Sequence, residues 1–194
     1  MNLVTSDRNT VVRTLHDLGG AAWFGGSLMG AVGLNGASKD VSDPGERATV
    51  ATSGWARWSP VAASAIAAYA IGGIGLIVAN RTRVAHQQGV GANTAVKTAL
   101  SVAAMATTAA SGVLGARLAH QTPAHAAGGT VPDRRTPAST ARLQQGLRVL
   151  QWATPALTGA IVVLGAQQGE QQKAGQVLTG AARRTLSDVV NAIR

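Results

Sequence analysis

Residues 15–35 read Leu15-His16-Asp17-Leu18-Gly19-Gly20-Ala21-Ala22-Trp23-Phe24-Gly25-Gly26-Ser27-Leu28-Met29-Gly30-Ala31-Val32-Gly33-Leu34-Asn35, with no charge after Asp17. A bilayer core about 30 Å thick needs roughly 20 mostly apolar helical residues, because backbone polar groups left unpaired in lipid cost several kcal/mol each. The window 18–37 has that length. Three more windows match it, at 59–79, 98–116 and 149–166, and none of the four contains a charged residue. The expected fold is all-α, an integral membrane four-helix bundle, with its spans arranged around the first helix.

The competing reading is a soluble alanine-rich bundle, and a mean hydropathy of +0.15 is compatible with it. A soluble helix needs charges at helical spacing along its outer face. Residues 59–79, from Ser59 to Ala79, supply none. The third window is the weakest, being mostly alanine, threonine and serine, and it needs packing against its neighbours to stay in lipid.

The composition of the 194 residues agrees with a membrane protein: 13% are charged, 3% aromatic and 46% hydrophobic, with 24 glycines. A formal net charge of +9 raises the question of nucleic acid. The arginines are scattered through loops and beside apolar runs, with no stripe and no interleaved aromatics, so no nucleic-acid partner is expected. The lipid bilayer is. The absence of cysteine excludes disulfides and thiolate nucleophiles. Arg8 and Arg13 before an apolar run resemble a signal peptide, but cleavage after Ala37 would place Asn35 where a small residue is wanted, so the run reads as a retained helix.

Around the spans, residues 1–17 form an N-terminal segment, 18–166 the transmembrane domain and 167–194 a C-terminal amphipathic helix. In the last of these, Ala174, Val177, Leu178, Ala181, Leu186, Val189 and Ile193 recur at the three-and-four spacing of one face. Asp43-Pro44-Gly45-Glu46 resembles a capping box with proline at the first helical position, and Thr136-Pro137-Ala138-Ser139 offers a similar start. Both predict helices beginning well before the second and fourth spans. The linker 121–136, with Pro123, Gly128, Gly129 and Pro132, has no apolar periodicity and reads as a flexible extramembrane loop. Arg57-Trp58 with Pro60 is echoed by Arg148, Trp152 and Pro155, and Leu28-Met29-Gly30-Ala31 by Val113-Leu114-Gly115-Ala116, as in a tandem repeat of a two-helix unit. Shared alanine-rich composition explains the echo equally well.

Lys and Arg are balanced between the two sides, nine against eight. The short connection 80–97 carries Arg81, Arg83 and Lys97 without an acid, which favours cytoplasmic termini. Trp55, Trp58 and Trp152 then form an aromatic belt at the outer interface. Gly26 and Gly30 make a GxxxG pair that Gly33 and Gly36 extend, a stripe on which another helix can pack closely, either within the bundle or in a second copy.

Of His16, His86, His120 and His125, His16 and His120 fall at opposite ends of the bundle, roughly 30 Å apart, and cannot share an iron. No metal site and no resident cofactor are expected. His16 and Asp17, at the mouth of the first helix, are the one chemical lead. Asp17 also suits the helix dipole there. Paired carboxylates, a nucleophile elbow and a phosphate-binding glycine loop are all missing, so no enzymatic activity is expected.

Leu15-His16, followed by Trp23 and by Gly25-Gly26, resembles the opening helix of CopD-like bacterial multi-span membrane proteins. The resemblance covers about a dozen residues and implies a helical membrane fold and copper or haem handling. The expected function is that of a non-catalytic accessory or scaffold protein of a bacterial plasma membrane, acting through helix packing on other membrane subunits or on itself. The alternatives are a metal- or haem-handling membrane protein and a small-solute permease.

Overall fold

The computed structural model describes residues 4–79 and 90–170. Four long helices account for most of them: α1 (Val4–Met29), α2 (Arg47–Ala79), α3 (Val90–Ala119) and α4 (Ala138–Glu170). The amphipathic helix expected over 167–194 and His86 lie outside the described residues, apart from the last residues of α4.

Three stretches are long and apolar enough to cross a membrane: Arg47–Ala79, Ala92–Ala119 and Ala138–Gln167. They contain the windows predicted at 59–79, 98–116 and 149–166. The window 18–37 differs. Its α-helical part ends at Met29, a π-helical turn follows over Gly30–Leu34, and helical turns at Asn35–Ala37 and Ser38–Asp40 complete it. α1 is not among the spanning candidates, because its first half is charged and glycine adds little hydropathy to its second. The π turn is closed by the Asn35 N–H donating to the Gly30 carbonyl, the five-residue spacing that defines such a bulge.

The starts of α2 and α4 fall close to the predicted signals. The Asp43 carboxylate accepts from the Gly45 N–H at 2.8 Å and the Asp43 carbonyl from the Glu46 N–H at 3.1 Å, after which α2 begins at Arg47. α4 begins at Ala138, directly after Pro137. Pro60 and Pro155 sit inside α2 and α4, where each removes one ladder hydrogen bond.

α1 packs most extensively on α2 and α3 on α4, and contacts of α1 with α4 and of α2 with α3 close the ring. Polar and apolar side chains share the interior, and large apolar ones also stand on the surface. Ser27, Asn35, Ser101, Thr154 and Thr158 are buried, while Ile71 and Val102, each 61% exposed, and Val163 at 57% point outward. A small apolar cluster of Trp23, Tyr69, Ala104 and Ile161 holds the middle.

The α1–α2 contact is built from glycine. A Cβ on Gly19 would stand 2.5 Å from the Ala65 carbonyl oxygen and the Tyr69 nitrogen, and one on Gly72 would stand 2.4 Å from the His16 nitrogen. At both places backbone meets backbone. Gly26 and Gly30 receive the indoles of Trp58 and Trp55, so half of the predicted glycine stripe is used inside the bundle. Gly33 meets only Met29 of its own helix, and Gly36 meets nothing within 4 Å. The belt reading of the tryptophans changes accordingly: Trp55 and Trp58 turn inward to glycine, while Trp152 is 51% exposed.

The segment 121–136 is not a loose loop but a folded cover on one end of the bundle. Ala126, Gly128, Gly129 and Thr130 are buried. The Gln144 side-chain N–H groups donate to the carbonyls of Gly128 (3.0 Å) and Gly129 (3.2 Å), the Gly129 N–H donates to Ser38 Oγ at 2.8 Å, and the Ala126 N–H donates to the Pro44 carbonyl at 3.0 Å. A Cβ on Gly129 would lie 2.4 Å from that of Ala51. Lacking apolar periodicity, the segment is held by its backbone polar groups. At its outer edge, the backbone N–H of Arg135 foremost holds the Asp133 carboxyl below the usual carboxylate range, helped by the Thr136 hydroxyl.

Candidate functional site

Two polar assemblies lie in the interior, and Trp23 stands between them. The first is centred on His16, which is buried. Its Nδ1 lies 2.8 Å from the Tyr69 carbonyl oxygen and its Nε2 lies 2.9 Å from Lys97 Nζ. A carbonyl oxygen only accepts, so Nδ1 carries a proton, and one N–H lies between Nε2 and Nζ. The imidazole stacks on the Tyr69 ring at 4.2 Å between centroids. The Tyr69 hydroxyl is 2.6 Å from Ser101 Oγ, which itself donates to the Lys97 carbonyl at 2.7 Å.

Glycines make room for this pair. A Cβ on Gly73 would come within 3.1 Å of His16 Nδ1, and one on Gly165 within 3.4 Å of Lys97 Nζ. His16, the residue singled out in the sequence, is thus engaged at both ring nitrogens and leaves neither free for a metal or haem iron. Asp17 is exposed beside it, and His120 and His125 are exposed at the covered end. Among the described residues no three His, Cys, Asp or Glu side chains group as a metal-binding set. Lys97 escaped notice in the sequence because it stands one residue before an uncharged window and reads there as a loop charge.

The second assembly surrounds a cavity of about 380 Å³ among the four helices and the cover segment. Trp23, Trp55, Trp58, Asn35, Gln151 and Thr130 are among its lining residues, and no charged side chain is. Asn35 ties three elements together. Its Oδ1 accepts from Trp55 Nε1 at 3.0 Å, and its Nδ2 donates to Gln151 Oε1 at 2.7 Å. Gln151 Oε1 also accepts from the Thr130 hydroxyl at 3.2 Å. The π turn after α1 directly precedes Asn35, consistent with the frequent occurrence of such bulges at functional positions. The sequence signal for Asn35 and Gln151 was their polarity inside or at the end of an apolar window.

Between the assemblies, Trp23 Nε1 donates to Thr108 Oγ1 at 3.1 Å, and its ring meets that of Tyr69 edge-on at 5.7 Å. Gly112 and Gly115 of α3 also line the cavity, and a Cβ on either would enter open space. The cavity falls in the size range of small-molecule sites, and its uncharged hydrogen-bonding wall suits an uncharged ligand. The fold and site define an all-helical protein with three helices long and apolar enough to cross a membrane and a partly open pocket without charged lining residues. No family model matches the chain, and no curated protein or solved structure matches it.

Proposed function

We propose that this chain is a multi-pass protein of a bacterial plasma membrane that takes a small neutral solute into the centre of its bundle and acts as a carrier or permease. In this reading all four helices lie in the bilayer. α1 is accommodated there by α2 and α4, and both termini are on the cytoplasmic side. The exposed valines and isoleucines of α2, α3 and α4 support immersion in lipid, where side chains of this kind face the tails at no cost.

The observation that carries the functional reading is the cavity of about 380 Å³, ringed by indoles and uncharged polar groups. The accessory or scaffold reading named the glycine face and the C-terminal helix as contact surfaces; of these, Gly26 and Gly30 are occupied by Trp58 and Trp55, and the helix lies outside the described residues. The metal or haem reading depended on His16, whose ring nitrogens are both engaged.

The test is osmotic. Vesicles of phosphatidylethanolamine and phosphatidylglycerol containing the full-length chain are shocked with small neutral solutes and followed by light scattering. Re-swelling faster than in empty vesicles for at least one solute is expected. Rates equal to those of empty vesicles across urea, glycerol and larger solutes would overturn the proposal.

A further inference from the structure

The cavity wall has a hydrogen-bonding polarity. Six of its hydroxyls give their protons away within the helices. Ser27 donates to the Phe24 carbonyl (2.9 Å), Thr52 to Ala48 (2.9 Å), Ser59 to Trp55 (2.9 Å), Thr108 to Ala104 (2.8 Å) and Ser111 to Thr107 (2.8 Å), while Thr154 donates to the Thr107 hydroxyl at 3.1 Å. This back-bonding is an ordinary habit of serine and threonine in helices. Here it has a chemical consequence, because each of these hydroxyls then has only lone pairs to offer a guest. Gln151 adds the converse group: its oxygen accepts from Asn35 and Thr130, and its amide N–H groups have no partner among the described residues.

From this wall we infer that the cavity's ligand is a short polyol, a neutral molecule that presents several O–H donors and an occasional acceptor, with C–H faces that lie flat on Trp55 and Trp58. The inference rests on the proposed solute-binding role of the cavity and names the class of solute. A quaternary ammonium would meet the indole faces but would leave the Gln151 amide N–H groups without an acceptor. The larger, apolar part of the wall, from the indoles and the alanine and leucine side chains, takes the C–H faces of such a polyol and leaves its hydroxyls for the lone pairs, whereas a hydrocarbon guest would use the apolar part alone.

The experiment uses the full-length protein in detergent micelles, with intrinsic tryptophan emission as the readout. Three of the four tryptophans line the cavity, so occupancy changes the emission. The probes are xylitol, tetramethylammonium and toluene, each titrated against the native protein, Ser111→Ala and Gly112→Leu. Ser111→Ala removes one acceptor and no contact between helices, and Gly112→Leu places a side chain in the cavity. Circular dichroism and the melting midpoint establish that both variants fold.

Saturable binding of xylitol is expected, weakened about 3- to 10-fold in Ser111→Ala, the usual worth of one hydrogen bond, and lost in Gly112→Leu. Binding of toluene or tetramethylammonium but not xylitol, abolished by Gly112→Leu, would overturn the polyol assignment and leave the cavity as a solute site. Binding of none of the three would overturn both readings. Xylitol affinity unchanged in either variant would overturn the assignment by removing the ligand from this wall.

Discussion

The two helical hairpins solve the same packing problem in opposite ways. In the α1–α2 half, the glycines that face the partner helix make dents that are filled: the α2 backbone fills Gly19, Trp58 fills Gly26 and Trp55 fills Gly30, while Gly25 and Gly36 meet nothing within 4 Å. In the α3–α4 half, Gly146 is met by Leu114 and Gly159 by Phe24, but Gly112 and Gly115, beside the cavity, face open space, and Trp152 is 51% exposed. Glycine in a helix interface is therefore no mark of close packing by itself. What matters is whether a partner group enters the space it leaves.

The largest expected effect comes from filling the tightest backbone-to-backbone contact of the closed half. Gly72→Ala puts a methyl group against the His16 and Val12 backbones, which cannot give as a flexible side chain would. A loss of about 3 kcal/mol is expected, at the upper end of overpacking costs. Gly115→Ala on the open side is expected to gain about 1 kcal/mol through helix propensity alone. Denaturation of the two variants in the same detergent checks both.

His16→Phe is next. It strips Lys97 of its imidazole partner across the halves, and a loss of about 1–3 kcal/mol is expected for a buried donor left unpaired. Lys97→Met added to His16→Phe should return part of that loss, a coupling that a double-mutant cycle measures. Additive losses would show that the two side chains do not act as a pair.

The smallest effect lies in the cover segment. The folded-state pKa of Asp133 is depressed below its ordinary value, so its stabilising contribution is present above the unfolded-state pKa and is lost as pH falls through the folded one. Acidification through the carboxylate range should loosen the segment slightly, and Asp133→Asn should remove that step. Hydrogen exchange at the Arg135 amide reports it.

Much of the helical scaffold was legible in the sequence, because its causes are local. Uncharged windows predicted the cores of α2, α3 and α4, and proline-led caps placed the starts of α2 and α4 within three residues of Pro44 and Pro137. What escaped was decided by contacts distant in the chain. Lys97 turns inward because His16, 81 residues away, accepts it. Residues 121–136 are ordered because Gln144 bonds two glycine carbonyls. The π turn before Asn35 has no periodic signature in a run of glycines, and the direction of each indole depends on which facing residue lacks a side chain. Of the glycine stripe, Gly26 and Gly30 lie against the indoles of Trp58 and Trp55, and Gly36 meets nothing within 4 Å.

The most direct test makes the same chemical change in both halves. Gly26→Leu and Gly112→Leu are compared for melting midpoint in one detergent. The account predicts a large drop for Gly26→Leu, whose new Cβ would lie 1.9 Å from the Trp58 ring, and little change or a rise for Gly112→Leu, whose Cβ meets nothing within 4 Å. Equal losses in the two variants would contradict the division into a closed half and an open one.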